Sequence, residues 1–295
     1  MNSGLQPTIR VSAIPLPERY QLPGRPSTSF GTVAQDAYRQ TRFLLAGDLA
    51  LFEQAMNLQL RIVADSSPSK YRTHALAALV GLWSRAFAYL ADGCALAVRG
   101  AYVSALPPVR AACDCIAAQH QLATQEMEEF IRWLAQGIRQ DREHAALEFA
   151  LGRYRAGATL AAHPRLGSVY RVVSDLCLPH FGATTLQVAP ESNPRRLAIL
   201  FADNAFHLGW AELIIGWLLV AADVQLDVTT TQPQIFVVSD QVREEYGHLS
   251  PQMREAVESA RRCRVEEIAD ATGGRRYLFH NFRRQAAAAP RKILL

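Results

Sequence analysis

The segment "LGWAELIIGWLLVAA", residues 208–222, constrains this chain of 295 residues more than any other stretch. It carries one charge, Glu212, so whatever it forms has to be screened from water on every side. Crossing a bilayer takes roughly twenty apolar residues. This run is shorter, includes Glu212 and follows His207, which leaves a helix in the middle of a protein core. A helix that is apolar all round needs other helices packed about it.

The rest of the chain offers them. "TVAQDAYRQTRFLLAGDLALFEQAMNLQLRIVADSS" has apolar residues at helical spacing, with a break or kink at Gly47-Asp48. "SSPSKYRTHALAALVGLWSRAFAYLADGCALAVRG" predicts a helix capped by Ser67, with Pro68 at its first position and Arg99-Gly100 as its stop. "AYVSALPPVRAACDCIAAQHQLA" continues as a helix that Pro107 and Pro108 kink or interrupt. "TQEMEEFIRWLAQGIRQDREHAALEFALGRY" reads as a charged outer helix, and residues 165–178 as a further helix stopped by Pro179. Another helix starts after Asn193-Pro194 and runs through the apolar segment. "LDVTTTQPQIFVVSD" reads as a short hairpin, and "SPQMREAVESARRCRVEEIADATGG" as a last helix with Ser250 as cap and Gly273-Gly274 as exit.

These elements predict an all-α protein, an antiparallel multi-helix bundle with a short mixed or β-like C-terminal appendage. An extended arm occupies residues 1–31, the bundle 32–226, and the appendage, with one helix and a basic tail, 227–295. At 49% hydrophobic and 20% charged, the chain can bury a real core. Five cysteines, an odd number without a C-x-x-C pair, argue against a disulfide framework or zinc ribbon and fit a reducing cytoplasm. The proline-dotted first thirty residues lack the apolar core of a signal peptide. Positive charge concentrates at the end: residues 261–295 hold nine Arg and Lys against Glu266, Glu267 and Asp270.

Three polar constellations stand out. "YRVVSDLCLPHFG" places Asp175 in a helix's last turn, where the dipole disfavours a carboxylate, with Arg171 one turn earlier, Ser174 beside it and His180 after Pro179. Either Asp175 and His180 tie down the turn, or they belong to a polar site. Asp203 and His207 stand at i, i+4 in the expected apolar helix and need partners if buried. With Asp175 and His180 they could hold a divalent metal, since carboxylate and imidazole from facing helices build such sites. Arg110 and Asp114 form a third i, i+4 pair, a structural ion pair or a seat for an anionic ligand. No phosphate-cradling glycine loop or G-x-S-x-G motif is present, so no nucleotide cofactor is expected.

"GAYVSALPPVRAACDCIAA" followed by "VYRVVSDLCLPHFG" resembles a pattern of uncharacterised all-helical bacterial proteins, an Arg-x-x-x-acid helix with a downstream Ser…His segment. Here Asp114 stands where Glu is expected and Pro179 precedes the His. The resemblance covers residues 70–220 and implies an all-α fold in which Arg110, Asp114, Ser174 and His180 could converge. Such proteins are distantly similar to helical nucleases with Arg-x(4–6)-His, a spacing present at Arg139/His144, Arg243/His248 and Arg275/His280. In so arginine-rich a chain that spacing arises by chance. The tail interleaves Tyr277, Phe279 and Phe282 with Arg275, Arg276, Arg283 and Arg284, which suits either a docked edge strand or nucleic-acid contact.

The leading expectation is a cytoplasmic, non-enzymatic interaction or regulatory protein that binds a partner or small ligand, with a homodimer as the natural assembly and no membrane span. The alternatives are a hydrolase or nuclease built on the Asp/His cluster, and a nucleic-acid binder using the tail.

Overall fold

The computed structural model describes residues 17–66, 74–124, 139–141, 146–148, 157–179, 186, 201–232, 235–269, 273–283 and 292–295. The helices are α1 (Gly31–Leu44), α2 (Ala46–Ser66), α3 (His74–Val98), α4 (Tyr102–Thr124), α5 (Gly157–Ala162), α6 (Pro164–Cys177), α7 (Leu208–Thr230) and α8 (Asp240–Glu258). Two short strands, β1 (Arg139–Asp141) and β2 (Ala146–Glu148), pair antiparallel. A three-stranded antiparallel sheet, β3 (Arg264–Ala269), β4 (Arg275–His280) and β5 (Lys292–Leu294), closes the chain in the order β3-β4-β5. The architecture is helical with a small C-terminal sheet, as expected.

The apolar segment forms the axis. Helix α7 contacts α2, α3, α4, α6 and α8, and all of its residues but Leu208 and Asp227 are buried. It is the one described helix long and apolar enough to cross a membrane, yet 94% of its most apolar window is enclosed by the protein itself. The core continues from it into Phe52, Trp83, Leu90, Ile116 and Val173, and on through Phe236 and Met253 to Phe279 and Phe282.

Local signals explain several ends. Gly100 adopts φ +81°, and the Gly100 and Ala101 N–H groups bond back to Ala97 and Leu96 carbonyls at 3.1 and 3.0 Å, a left-handed helix stop. A Cβ on Gly100 would lie 2.2 Å from the Asn204 carbonyl oxygen, so close approach demands glycine as well. The break expected at Gly47-Asp48 falls at Leu45, between α1 and α2.

Other expectations are corrected. Helix α4 runs through Pro107 and Pro108 without interruption. The carbonyls those prolines leave without a donor belong to Val103 and Ser104, on an exposed face where water replaces the missing bond. Pro251 lies inside α8 for the same reason, opposite exposed Gly247. Helix α8 starts ten residues before Ser250: Ser239 caps it, its hydroxyl accepting from Val242 N–H at 3.3 Å. The helix ends at Glu258, and "RVEEIA" is strand β3, because its Val265 packs against the core through pairing with Phe279. The supposed hairpin strand "LDVTT" is the last turn of α7, its Thr229 and Thr230 hydroxyls returned to Leu226 carbonyl oxygen at 2.9 and 2.8 Å. "RQD" and "ALE" are paired antiparallel strands rather than parts of an outer helix. Ser67, Pro68 and Asn193-Pro194 lie outside the described residues.

Candidate functional site

Asp175 is compensated from the sheet. Glu267 of β3 and Tyr277 of β4 are cross-strand partners and so share one face. Arg171 and Asp175 are one turn apart on α6. Arg171 Nε donates to Glu267 Oε2 at 2.8 Å, and the Tyr277 hydroxyl donates to Asp175 Oδ2. This four-residue clasp fastens α6 to the sheet, and burial together with Asp175 pushes the Tyr277 phenol above its ordinary value. The Ser174 hydroxyl oxygen is shut from water without a hydrogen-bonding partner among the described residues. His180 lies outside the described residues.

Asp203 and His207 do not share a helical face, because the helix begins only at Leu208. Asp203 accepts from Ala205 N–H at 2.7 Å in an exposed turn after Ala202, whose φ is 52°. His207 is the N-cap of α7: its Nδ1 accepts from Trp210 N–H at 3.5 Å, its own N–H is donated to the Tyr102 hydroxyl at 3.3 Å, and its ring lies 4.8 Å from that of Phe282. Burial, then the positive charge of Arg283, pulls the imidazole down to about 4. Among the described residues no group of three His, Cys, Asp or Glu side chains is placed to hold a metal ion.

Exposed Arg110 lies over the Tyr170 ring at 5.8 Å. Burial raises the Asp114 carboxyl, while Arg110 and a hydrogen bond from Tyr170 work against that rise. In the tail, β4 is the central strand and not an edge. Tyr277 and Phe279 are buried, while Arg275 and Arg276 are exposed. Arg283 is half-buried, and burial lowers its guanidinium below the ordinary value. Arg284 lies outside the described residues. All five cysteines are free thiols.

Two buried acids on α7, Glu212 and Asp223, lie outside the three polar constellations expected from the sequence. Asp223, fully buried, takes an ion pair from Arg165 of α6, a second from Arg254 of α8 at 3.3 Å, and a hydrogen bond from the Tyr246 hydroxyl at 3.1 Å. Glu212, 5% exposed, accepts from Cys263 N–H at 2.8 Å, and its carbonyl oxygen accepts from Arg262 Nε and Nη2 at 3.2 and 2.7 Å. Arg262, 7% exposed, also pairs with Asp48 of α2 and donates to the Ala256 carbonyl at 3.3 Å. Its guanidinium lies on Gly216, where a Cβ would sit 3.5 Å from Nη2. An acid inside an otherwise apolar helix was the available signal, since it has to find partners.

Beside this second cluster is a pocket of about 170 Å³ between α6, α7, α8 and β3. Val169, Val172, Trp217 and Val220 form apolar walls, Glu212, Arg262 and Cys263 are the buried polar residues, and Ser168, Arg264 and Glu267 stand on the exposed side. Glu267 is the residue clasped by Arg171, so the pocket adjoins the helix-to-sheet fastening. Apolar walls with a few converging polar groups are what a small-molecule site requires. No protein-family model, curated protein or solved structure matches this chain.

Proposed function

We propose that this chain is a non-enzymatic binding protein that holds a small molecule in the pocket between α6, α7, α8 and β3. The observation that carries the reading is the pocket itself, where the Glu212 carboxylate, held by Cys263 N–H, meets a wall of valines and Trp217. Arg262 cross-links α7, α8 and α2 at that point, so the polar groups are held by the scaffold and not by a mobile loop. The competing hydrolase reading asks Asp175, His180, Asp203 and His207 to do chemistry, whereas Asp175, Asp203 and His207 spend polar atoms on fixing local structure and His180 lies outside the described residues. A thermal-shift screen of neutral and charged small molecules tests the proposal. Hits abolished by Val220→Phe support it, and hits unaffected by that change overturn it.

A protein partner or a second copy of the chain is a further occupant, of a different surface. Phe43 and Phe201 are 81% and 99% exposed, apolar area that a partner would cover. Light scattering across a dilution series tests self-association, which Phe43→Ser with Phe201→Ser should weaken.

A further inference from the structure

We infer that the groove between α3 and α4 is a second binding site, one that takes a linear zwitterion with an apolar middle and about 10 Å between its charges. This goes beyond the reading above, because none of the residues lining the groove borders the pocket under β3.

The walls set the body of the ligand. Helices α3 and α4 pack on one another after the turn at Gly100, and between them lies a groove of about 520 Å³. Small-molecule sites occupy roughly 300–1,000 Å³. Ala95 and Ala111 leave the space, since their side chains end at Cβ, and Leu96, Pro107 and Pro108 line it with apolar surface. Alanine and proline have almost no side-chain freedom to lose, so most of this wall is ordered before a ligand arrives.

The charges set the ends. Asp92 and Arg99 both line the groove, and they stand two turns apart on one face of α3. Seven residues at a rise of 1.5 Å separate them by about 10 Å along the helix. Among the described residues the Asp92 carboxylate has no hydrogen bond or ion pair. The Arg99 guanidinium lies over the Phe30 ring at 4.6 Å, a cation–π contact that holds the group in place, and it too has no hydrogen bond or ion pair among the described residues. Its N–H fork is therefore open to a carboxylate. Arg85 does not neutralise Asp92: it lies over the Tyr89 ring at 5.9 Å, and its Nη2 donates to the Tyr89 hydroxyl at 3.4 Å.

A ligand with charge of one sign satisfies one end and leaves the other unanswered. A linear zwitterion satisfies both, with its ammonium on Asp92, its carboxylate on Arg99 and its apolar middle along Leu96, Pro107 and Pro108. A peptide of three residues, at about 3.3–3.6 Å each, spans the required distance. An ω-amino acid of equal length carries the same ends. A free α-amino acid is too short to reach both.

The test titrates trialanine and 8-aminooctanoate into the full chain by calorimetry at pH 7, beside dialanine and two blocked forms, N-acetyl-trialanine and trialanine amide. Each blocked form lacks one terminal charge and should bind more weakly than trialanine by about tenfold, the worth of one charge-assisted hydrogen bond. Dialanine should be weaker by a similar factor, because it cannot span the two ends. Asp92→Asn and Arg99→Gln should each weaken trialanine to the level of the matching blocked form. Arg99→Gln also removes the contact with Phe30, so the blocked ligands carry the same information with the protein unaltered. Binding of both trialanine and 8-aminooctanoate supports a site for linear zwitterions in general, and binding of one alone supports the site and identifies its source as peptide or aminoalkanoate. Equal binding of free and blocked trialanine overturns the inference. So does binding that survives both substitutions, or the failure of both zwitterions to bind at millimolar concentration.

Discussion

Acidification should remove a defined part of this protein's stability through His207. The imidazole caps α7 by accepting Trp210 N–H at Nδ1, and it lies against Phe282. Protonation abolishes that acceptor and places a positive charge at a helix N-terminus, where the dipole opposes it. In the unfolded chain a histidine titrates near 6.5, whereas burial and Arg283 hold His207 at about 4. The folded state therefore binds fewer protons than the unfolded state between these values, and stability falls as pH falls. The contribution is complete above pH 6.5 and is lost progressively down to pH 4. A difference of this size corresponds to about 3 kcal/mol, reduced to about 2–3 kcal/mol because the ring edge reaches water. The assay is urea unfolding at a series of pH values from 7.5 to 4.5, with the wild type beside His207→Asn. Asparagine is a good N-cap that does not titrate, so its curve should be flatter over the window. His163, the N-cap of α6, is also pulled down by burial and leaves the variant a residual slope of the same sign. The reasoning fails if His207→Asn reproduces the wild-type slope between pH 6.5 and 5, or if NMR places the His207 titration at its ordinary value.

Asp223→Ala should cost about 3–5 kcal/mol in denaturant unfolding, since it leaves Arg165, Arg254 and Tyr246 without their buried acceptor; a loss below 1 kcal/mol would deny the network a structural role. Tyr277→Phe removes the hydroxyl that holds Asp175 and should cost about 1.5–3 kcal/mol, with faster amide exchange in β4 as the accompanying sign. Gly100→Ala meets both a positive φ and the Asn204 carbonyl, and should destabilise by about 2–4 kcal/mol. A variant within 0.5 kcal/mol of wild type would show that the α3–α4 turn relaxes freely.

What was legible in the sequence follows the range of the interactions. Helix α7 could be located because its solvent-averse surface is a property of its own residues, and the stop at Arg99-Gly100 because one residue's φ ends a helix. Asp203 and His207 were misplaced because a four-residue spacing aligns side chains only inside a helix, and this helix starts at Leu208, after both members of the pair. Ser239-Asp240, a hydroxyl followed by an acid in the first turn, would have marked the start of α8, but the β-branched run before it favoured a hairpin. The pocket could not be read at all. Its walls come from residues 168–172, 212–220 and 257–267, and Arg262 reaches Asp48 across most of the chain. The oddity of Asp175 was visible locally, but its remedy, Tyr277, was supplied 102 residues later.

The position of α7 also dictates an order of events during synthesis. Helices α2, α3 and α4 all pack on a helix that ends at Thr230, so none can finish burying its apolar face when it leaves the ribosome. Between residue 66, where α2 is complete, and residue 230, elongation takes on the order of 8–33 s at about 5–20 residues per second. For that interval the nascent chain displays the surface of Phe52, Met56 and Ile62 without its eventual cover, long enough for chaperone capture or for aggregation between neighbouring chains on one messenger. Slowing translation between α4 and α7 should therefore lower the soluble yield of a protein whose finished fold is unaltered.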